Sequence, residues 1–314
     1  MSQKASNPAA PRNENEKRGP APLQIKKMDI LKNGTACYMV LDFKGEGVFG
    51  KVAKCLNLCT RETVAVKIHK KSDDRVNQRE VTMLEAIRDL EPDKKNIVRF
   101  IDHFRFNDFS CLAFEMLDMS LWDIMKERKV NPLTLSEIRP VTQQLFVAFD
   151  ALKSKGIMHT DLKPDNVMLV AHNEKPFKIK LIDFGLARPV SEVKLGSVLQ
   201  PCPYRSPEVY LGLPLSEAVD MWAVGCLMAH MYFGLSLFPG NCPYNWMKAM
   251  VHLLGQPEDQ QLNAGQNTWK FFNSQKGKGW RLHTPGEYLQ INRVKPIISP
   301  RYFDTVSSVN YYGH

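Results

Sequence analysis

Cysteine is scarce in this sequence, and no two cysteines have the C-x-x-C spacing that is typical of zinc ligands and thiol redox pairs. The 314 residues include seven cysteines, an odd number. The chain also opens without the charged and apolar pattern of a signal peptide. We therefore expect neither a framework of disulfides nor a zinc site, and we expect a reducing compartment.

Uninterrupted apolar runs and internal repeats are lacking as well. The longest apolar stretch, residues 221–238, approaches the length that spans a bilayer. However, Asp220 precedes it, His230 interrupts it and Pro239 ends it, and no basic flank or aromatic belt accompanies it. We predict that this stretch forms a helix buried in a protein core, and we expect no membrane association.

Acidic residues are fewer than basic ones. Asp and Glu total 33 against 42 Lys and Arg, which gives a net charge of +9. Part of the excess lies in the first 34 residues, where seven basic side chains accompany three acidic ones. Residues 1–36 hold few large apolar groups, so burial cannot offset the entropy of ordering them. We predict a disordered basic tail over residues 1–36 and no direct contact with nucleic acid.

Strand patterns dominate the first part of the chain, and helical patterns dominate the rest. Predicted strands cover residues 37–43, 51–58, 63–68, 96–106 and 109–116, and a predicted helix covers residues 75–90. Longer helical patterns follow at residues 121–128, 135–155, 216–233 and 245–254. We predict a small β-rich N-terminal lobe at residues 37–117 and a larger helical lobe at residues 118–314.

A glycine-rich segment follows the first predicted strand. It comprises Gly45, Glu46, Gly47, Val48, Phe49 and Gly50. The pattern G-x-G-x-x-G alone is equally typical of a plain turn. A dinucleotide-binding unit would continue as a helix, but here the chain continues as a strand. The context favours a glycine-rich hairpin whose backbone N–H groups approach phosphate oxygens, and Val52 completes the longer pattern G-x-G-x-x-G-x-V.

A lysine near the end of the next strand, Lys67, is a candidate phosphate contact. By itself such a lysine is usually a solvated strand end. A lysine fixed on phosphate oxygens needs an anionic partner, and the following helix offers Glu80, Glu85 and Asp89. We predict Glu80, which shares a helix face with Leu84, and keep Glu85 as the alternative.

Three motifs in the second part of the chain complete a pattern. They are HTDLKPDN at residues 159–166, DFG at residues 183–185 and SPE at residues 206–208. With the glycine hairpin and the strand lysine, they match the protein kinase signature in order. Phosphoryl transfer needs oxygen ligands for magnesium, cations on the phosphates and a carboxylate near the incoming hydroxyl. Residues of all three kinds are present.

The chain resembles eukaryotic protein kinases and, among them, the homeodomain-interacting protein kinases, which neighbour the dual-specificity tyrosine-regulated kinases. The similarity is carried by LAFEML (112–117), IRPVTQQ (138–144), DLKPDNVMLV (161–170), YRSPE (204–208), LGLPLSEAVDMW (211–222) and WRLHTP (280–285). The resemblance implies an α+β fold of two lobes, a small antiparallel β-sheet lobe and a larger, mainly helical one. It further implies that ATP and Mg²⁺ bind in the cleft and that phosphate is transferred to serine or threonine of protein substrates.

The resemblance also gives each matching residue a role. Lys67 would hold the α and β phosphates with Glu80 as its anchor. Asp161 would accept or orient the hydroxyl proton, and Lys163 would steady the transferring group. The remaining roles are the phosphate cover at Gly45, Glu46, Gly47, Val48, Phe49 and Gly50, the metal ligands Asn166 and Asp183, and the adenine slot at Val52, Ala65, Phe114, Glu115, Leu117 and Met168. Ordinary core packing stays an alternative for Val52, Ala65 and Met168.

The sequence departs from the family both in the segment that relatives phosphorylate on themselves and in the cationic pocket that would bind the resulting phosphate. Thr160 stands where many kinases have the arginine of HRD, and Val198 stands where the relatives have a tyrosine. We predict that this segment does not depend on tyrosine phosphorylation, including phosphorylation at Tyr204. Arg205 occupies the position at which related kinases shape a preference for proline after the target residue.

The chain ends at His314, where the resemblance implies several further helices of the larger lobe. We therefore expect incomplete packing of the long helix that begins near Asp220 and no arginine partner for Glu208. A serine/threonine kinase is the favoured function because Lys67, Glu80, Asp161, Asn166 and Asp183 are all present. A catalytically weak or inactive kinase-shaped scaffold is the alternative. We expect a monomer that acts on protein substrates, with transcription-related proteins as one candidate class, in the nucleus or cytoplasm with the nucleus favoured.

Overall fold

The computed structural model describes residues 25–34, 36–46, 50–69, 74–107, 109–129, 131–275 and 279–297. Its N-terminal lobe is built on a six-stranded antiparallel sheet with the strand order β1-β2-β3-β4-β6-β5. The strands are β1 (Ile30–Asn33), β2 (Ala36–Glu46), β3 (Gly50–Asn57), β4 (Thr63–His69), β5 (Phe100–Phe106) and β6 (Phe109–Glu115). The predicted β-rich lobe is confirmed.

Alternation of side chains along β3 and β4 gives this sheet two different faces. Val64, Val66 and Ile68 of β4 are buried in an outer core together with Ala53 and other apolar residues of the sheet. Because successive strand residues point to opposite faces, β4 presents its intervening residues to the other side, which faces the cleft between the lobes.

The sheet begins earlier than the sequence predicts. Strand β1 pairs with β2 in the register Leu31↔Tyr38, and Leu31 is completely buried. The prediction of a disordered tail up to residue 36 is therefore wrong for residues 25–34. The segment is mostly polar, and one apolar residue such as Leu31 in a short strand is too weak a pattern to predict that strand from the sequence. Residues 1–24 lie outside the described part of the chain.

Two helices lie between β4 and β5. They are α1 (Asp74–Ala86) and α2 (Pro92–Lys95). Leu84 and Ile87 in and just after α1 are buried in the large core that continues into the C-terminal lobe. The strand predicted from residue 96 begins only at Phe100, because Pro92 starts a helical turn that Asn96 ends in the left-handed region at φ 53°.

The C-terminal lobe is mainly helical, as predicted. Its helices are α3 (Leu121–Glu127), α4 (Leu135–Ser154), α5 (Pro207–Leu211), α6 (Ala218–Phe233), α7 (Pro243–Leu254), α8 (Asp259–Ala264) and α9 (Pro285–Asn292). Short antiparallel pairs join β7 (Ile157–Met158) to β10 (Arg188–Pro189), β8 (Val167–Leu169) to β9 (Ile179–Leu181), and β11 (Phe272–Gln275) to β12 (Gly279–Leu282). The predicted α+β fold of two lobes is confirmed.

Helix α6 covers most of the apolar stretch that the sequence predicts to be a buried helix, but it ends at Phe233, because Gly234 adopts the left-handed region at φ 71°. Val219, Ala223 and Leu227 are completely buried, whereas Met221 and Tyr232 remain 41% and 49% exposed. One face of the helix is therefore buried, and the opposite face is partly exposed. In the described part of the chain, no helix is both long and apolar enough to traverse a lipid bilayer.

Candidate active site

Lys67 of β4 lies between two carboxylates that come from different lobes. Its Nζ is 2.7 Å and 2.9 Å from the two carboxylate oxygens of Glu80 on α1. The same Nζ is 2.9 Å from Oδ1 of Asp183. Glu85, the alternative partner, instead pairs with Arg88 on the surface of the same segment. The structure thus brings together three predicted residues that are far apart in the sequence.

The charges of this cluster stabilise one another. Burial alone would lower the pKa of the Lys67 ammonium, but Asp183 and Glu80 outweigh burial and the pKa is raised. Burial would raise the pKa of the Asp183 carboxyl, yet Lys67 holds it below its ordinary value. The carboxyl and the ammonium are therefore both charged at neutral pH. Space for the cluster depends on Gly185, where a Cβ would lie 3.3 Å from Asp183 Oδ1 and 3.4 Å from Glu80 Oε2.

A second cluster lies in the loop that follows β7. Asp161 is buried, and Lys163 Nζ is 2.9 Å from its Oδ2. The amide nitrogen of Asn166 donates to the same oxygen at 2.7 Å and to the Asp161 carbonyl at 2.8 Å. A turn of 3₁₀-helix at Pro164–Asn166 places the amide beside Asp161. This arrangement holds a carboxylate, a cation and an amide within one hydrogen-bonded group.

A buried carboxylate that we did not predict from the sequence holds this loop in place through hydrogen bonds. Asp220 of α6 is buried and accepts the backbone N–H groups of His159 at 2.7 Å and of Thr160 at 2.9 Å. Thr160 has φ 62°, a rare conformation for a β-branched residue, and Asp183 has φ 63°. Strained backbone of this kind persists where the surroundings determine it fully. A lone acidic residue at the start of an apolar helix was the available signal.

A cavity of about 410 Å³ opens between the lobes beside Lys67. Ten of the predicted residues line it, namely Gly45, Val52, Ala65, Lys67, Glu80, Phe114, Glu115, Leu117, Met168 and Asp183. The lining also includes Val98, Met116 and Ile182, which the sequence analysis did not single out. A cavity with apolar walls and polar groups at one end suits a planar base that carries phosphates.

The remaining predicted residues lie elsewhere or cannot be placed. Gly47, Val48 and Phe49 lie outside the described residues, and for Glu46 the description covers the backbone alone. Gly50 begins β3, where its backbone pairs with His69.

A wider concavity of about 550 Å³ lies beside α1 and is lined by residues such as Asn77, Arg79 and His103. None of the predicted site residues lines that concavity.

The donor atoms near the cavity suit a hard cation. The Asn166 amide nitrogen is engaged by Asp161, which leaves the amide oxygen as the atom available to a metal. Asp183 uses Oδ1 for Lys67, and within the described residues no hydrogen bond is recorded for Oδ2. One carboxylate and one neutral oxygen, completed by phosphate oxygens and water, match the ligands that Mg²⁺ takes. The residues therefore fit the metal that the sequence implies.

Comparison with protein families decides which fold family this site belongs to. The family model described as "Protein kinase domain" matches residues 38–278. The chain belongs to the protein kinase family. That span holds both clusters and the whole cavity between the lobes. The similarity of order and motif noted in the sequence is therefore confirmed at the level of the family.

Individual relatives agree with the more specific resemblance. Homeodomain-interacting protein kinase 1 of Mus musculus is 40% identical over 301 residues, which are 93% of this chain and 25% of that protein. Homeodomain-interacting protein kinase 2 of Mus musculus is 39% identical over 91% of the chain and 25% of that protein. Homeodomain-interacting protein kinase 4 of Homo sapiens is 35% identical over 90% of the chain and 48% of that protein. The chain thus spans between a quarter and a half of these relatives.

Proposed function

We propose that the chain is a protein serine/threonine kinase that transfers the γ-phosphoryl group of ATP to protein hydroxyls in a Mg²⁺-dependent reaction. The observation that carries the proposal is the contact of Lys67 with both Glu80 and Asp183, beside a cavity of nucleotide size. This contact joins the phosphate-binding cation of one lobe to a metal ligand of the other. The preference for serine and threonine is supported by the lysine two residues after Asp161.

The two clusters divide the chemistry between them. Asp161 would orient the substrate hydroxyl and accept its proton as the oxygen bonds to the γ-phosphorus. Lys163, 2.9 Å from Asp161, would neutralise charge on the transferring group, and Lys67 would hold the phosphates that remain on the leaving nucleotide. Mg²⁺ held by Asn166 and Asp183 would supply charge neutralisation on the phosphate oxygens when bound. The bond from the γ-phosphorus to its bridging oxygen breaks, and ADP leaves.

A preference for proline after the target residue is supported by Arg205. Its Nε donates to the carbonyl of Leu199 at 2.7 Å, and its Nη2 donates to the carbonyl of Gln200 at 2.8 Å. Gln200 has φ 66°, which turns its backbone out of the extended path. With this carbonyl already satisfied, a peptide N–H at that point would lack an acceptor. Proline has no N–H to satisfy and is therefore favoured there.

Activity without tyrosine phosphorylation is supported by the position of Tyr204. Its side chain is 5% exposed, and its hydroxyl lies 2.6 Å from Nδ1 of His230. Burial raises the pKa of the Tyr204 phenol. Val198, at the position where relatives have tyrosine, is 73% exposed. A buried hydroxyl engaged by a histidine is a poor phosphate acceptor, and the exposed position has no hydroxyl.

The similar proteins support proposals about partners and location. The names of these relatives describe them as interacting with homeodomains, so we propose homeodomain-containing transcription factors as one partner class for this chain. We propose nuclear residence, where such partners act, and we propose a monomeric state. Among the described residues, Glu208 is half-buried and forms no salt bridge, and the proposed phosphoryl transfer does not involve it.

The function is tested with purified protein, labelled ATP, Mg²⁺ and a generic basic protein. We expect incorporation into serine and threonine by the wild type and a loss of about 10²–10⁴-fold in Asp161→Ala, because the hydroxyl proton then has no acceptor. A nonhydrolysable ATP analogue should still bind the variant. Equal labelling by the two proteins would contradict the proposal, and nucleotide binding without labelling by the wild type would support the alternative of a scaffold.

A further inference from the structure

Among the residues that the structure describes, Lys180 of β9 is the most deeply buried lysine or arginine. Its side chain is 1% exposed, and its Nζ is 2.6 Å from Asp93 Oδ1 and 2.6 Å from Glu115 Oε1. Lys180 precedes Asp183 by three residues, so it lies on the segment that delivers the metal ligand. Asp93 belongs to α2, and Glu115 ends β6. One ammonium group therefore joins two elements of the N-terminal lobe to a strand of the other lobe.

The two carboxylates do not contribute equally to this junction. The side chain of Glu115 is 13% exposed, whereas that of Asp93 is 90% exposed. Solvent screens the exposed pair, and such pairs contribute little. A buried ammonium is costly unless a buried partner neutralises it. Glu115 is therefore the buried partner that compensates the burial of the Lys180 ammonium group.

Glu115 is also fixed to the chain that follows α2. Its side chain accepts the backbone N–H of Arg99, and its own N–H donates to the Arg99 carbonyl at 3.1 Å. The same chain reaches β9 through two backbone bonds, from Val98 N–H to the Leu181 carbonyl at 3.0 Å and from Leu181 N–H to the Asn96 carbonyl at 2.8 Å. Because Glu115 lines the nucleotide cavity, these contacts join the adenine edge of the cavity to the strand that leads to Asp183.

We propose that Lys180 is a positioning residue for nucleotide binding. It sets the end of β6 against β9, so that the adenine edge of the cavity and the metal ligand Asp183 keep a fixed separation. The residue touches neither nucleotide nor substrate and acts through Glu115. The inference rests on the proposed ATP site. A displacement of about 1 Å in such a site is enough to cost a large factor in binding or rate.

The test compares Lys180→Met with Lys180→Arg. We expect the methionine variant to bind a nonhydrolysable ATP analogue about tenfold more weakly and to show a raised KM for ATP, with a smaller change in kcat. The arginine variant keeps a cation within reach of Glu115 and should recover most of the affinity. Lys178→Met is the matched control, because Lys178 contacts Asp93 and Asn96 on the same turn but not Glu115.

Loss of stability is separated from loss of positioning by the double variant Lys180→Met with Glu115→Met. Removing both charges relieves the unpaired buried carboxylate, so the melting temperature should recover while nucleotide affinity stays low. Hydrogen exchange without nucleotide should rise at the amides of Glu115 and Leu117 in the single variant. Wild-type affinity in Lys180→Met, equal weakening in Lys178→Met, or affinity that recovers with stability would each overturn the inference. Failure of the wild type to bind the analogue would contradict the ATP site instead, and the exchange measurement would still decide the role of Lys180.

Discussion

Buried polar residues at single positions determine the geometry of the catalytic loop. Asp220 accepts two adjacent backbone N–H groups, and His159, which is completely buried, lies with its Nε2 3.0 Å from the Ile182 carbonyl. Burial raises the pKa of the Asp220 carboxyl, although the two N–H donors oppose the shift. The loop carrying Asp161 is therefore positioned by side chains that have no role in the proposed phosphoryl transfer.

Replacement of Asp220 by alanine should destabilise the chain and impair activity together. Two buried N–H groups lose their only side-chain acceptor, at a cost of about 2–5 kcal/mol. Thr160 then keeps the bond from its hydroxyl to the Leu186 carbonyl but loses the acceptor of its backbone N–H, so we expect Asp161 to shift. Thermal melting and labelling with ATP measure the two effects. Glu217→Ala is the control, because Glu217 begins the same helix without a side-chain capping bond. An Asp220→Ala variant as stable and active as this control would show that the loop holds itself.

The functional residues that lie in recognisable short motifs were predictable from the sequence. Lys67, Asp161 and Asp183 lie in short motifs. The match of several motifs in order predicted residues that line the cavity. Asp220 and Lys180 lie in ordinary apolar segments, and their partners are 60 or more residues away in the sequence. Only the folded chain shows that such a residue has a polar partner. The two residues were therefore not predictable from local pattern.

The strands and helices follow from periodicity, but their ends depend on individual residues. The predicted helix at residues 75–90 ends at Ala86, and the predicted strand from residue 96 begins at Phe100. In the second case, a short helical turn starts at Pro92 and is closed by Asn96. The apolar residues that follow Asn96 suggested a strand and gave no sign of this turn. Long elements such as α4 and α6 were predicted within two residues at each end, because a full face of apolar residues marks them.

The start of β3 tolerates only glycine. A Cβ at Gly50 would lie 2.0 Å from the carbonyl oxygen of Ile68 on β4, much closer than any real contact. We expect Gly50→Ala to separate the two strands at this end and to lower stability by about 1–3 kcal/mol, measured by denaturant unfolding. Gly45→Ala is the matched control for stability, because no atom lies within 4 Å of the added Cβ. If both variants unfold at the same denaturant concentration, the close approach of β3 and β4 is not a constraint in solution.

At the scale of the whole molecule, the two lobes share the larger of the apolar cores. The larger apolar core runs from Leu84 on α1 through Leu112 on β6 and into α4 and α6. A smaller core lies on the outer face of the sheet, around Val40 and Val66. The cavity lies over the larger core, so a nucleotide bound there would contact residues that are already joined across the lobes. Binding should therefore stabilise the molecule as a unit.

That expectation is tested by filling the adenine slot. Ala65 lines the cavity and is half-buried, so Ala65→Phe should project into open space rather than into the core. We expect the wild type to melt a few degrees higher with saturating ATP and Mg²⁺, since a ligand that binds only the folded state stabilises it. Ala65→Phe should keep its melting temperature without nucleotide and lose this rise. Thr63→Phe is the control, because Thr63 lies on the same face of β4 but is exposed and outside the cavity, so it should retain the rise. An undiminished rise in Ala65→Phe would place the nucleotide elsewhere, because no purine fits beside a phenyl ring at that position in the slot.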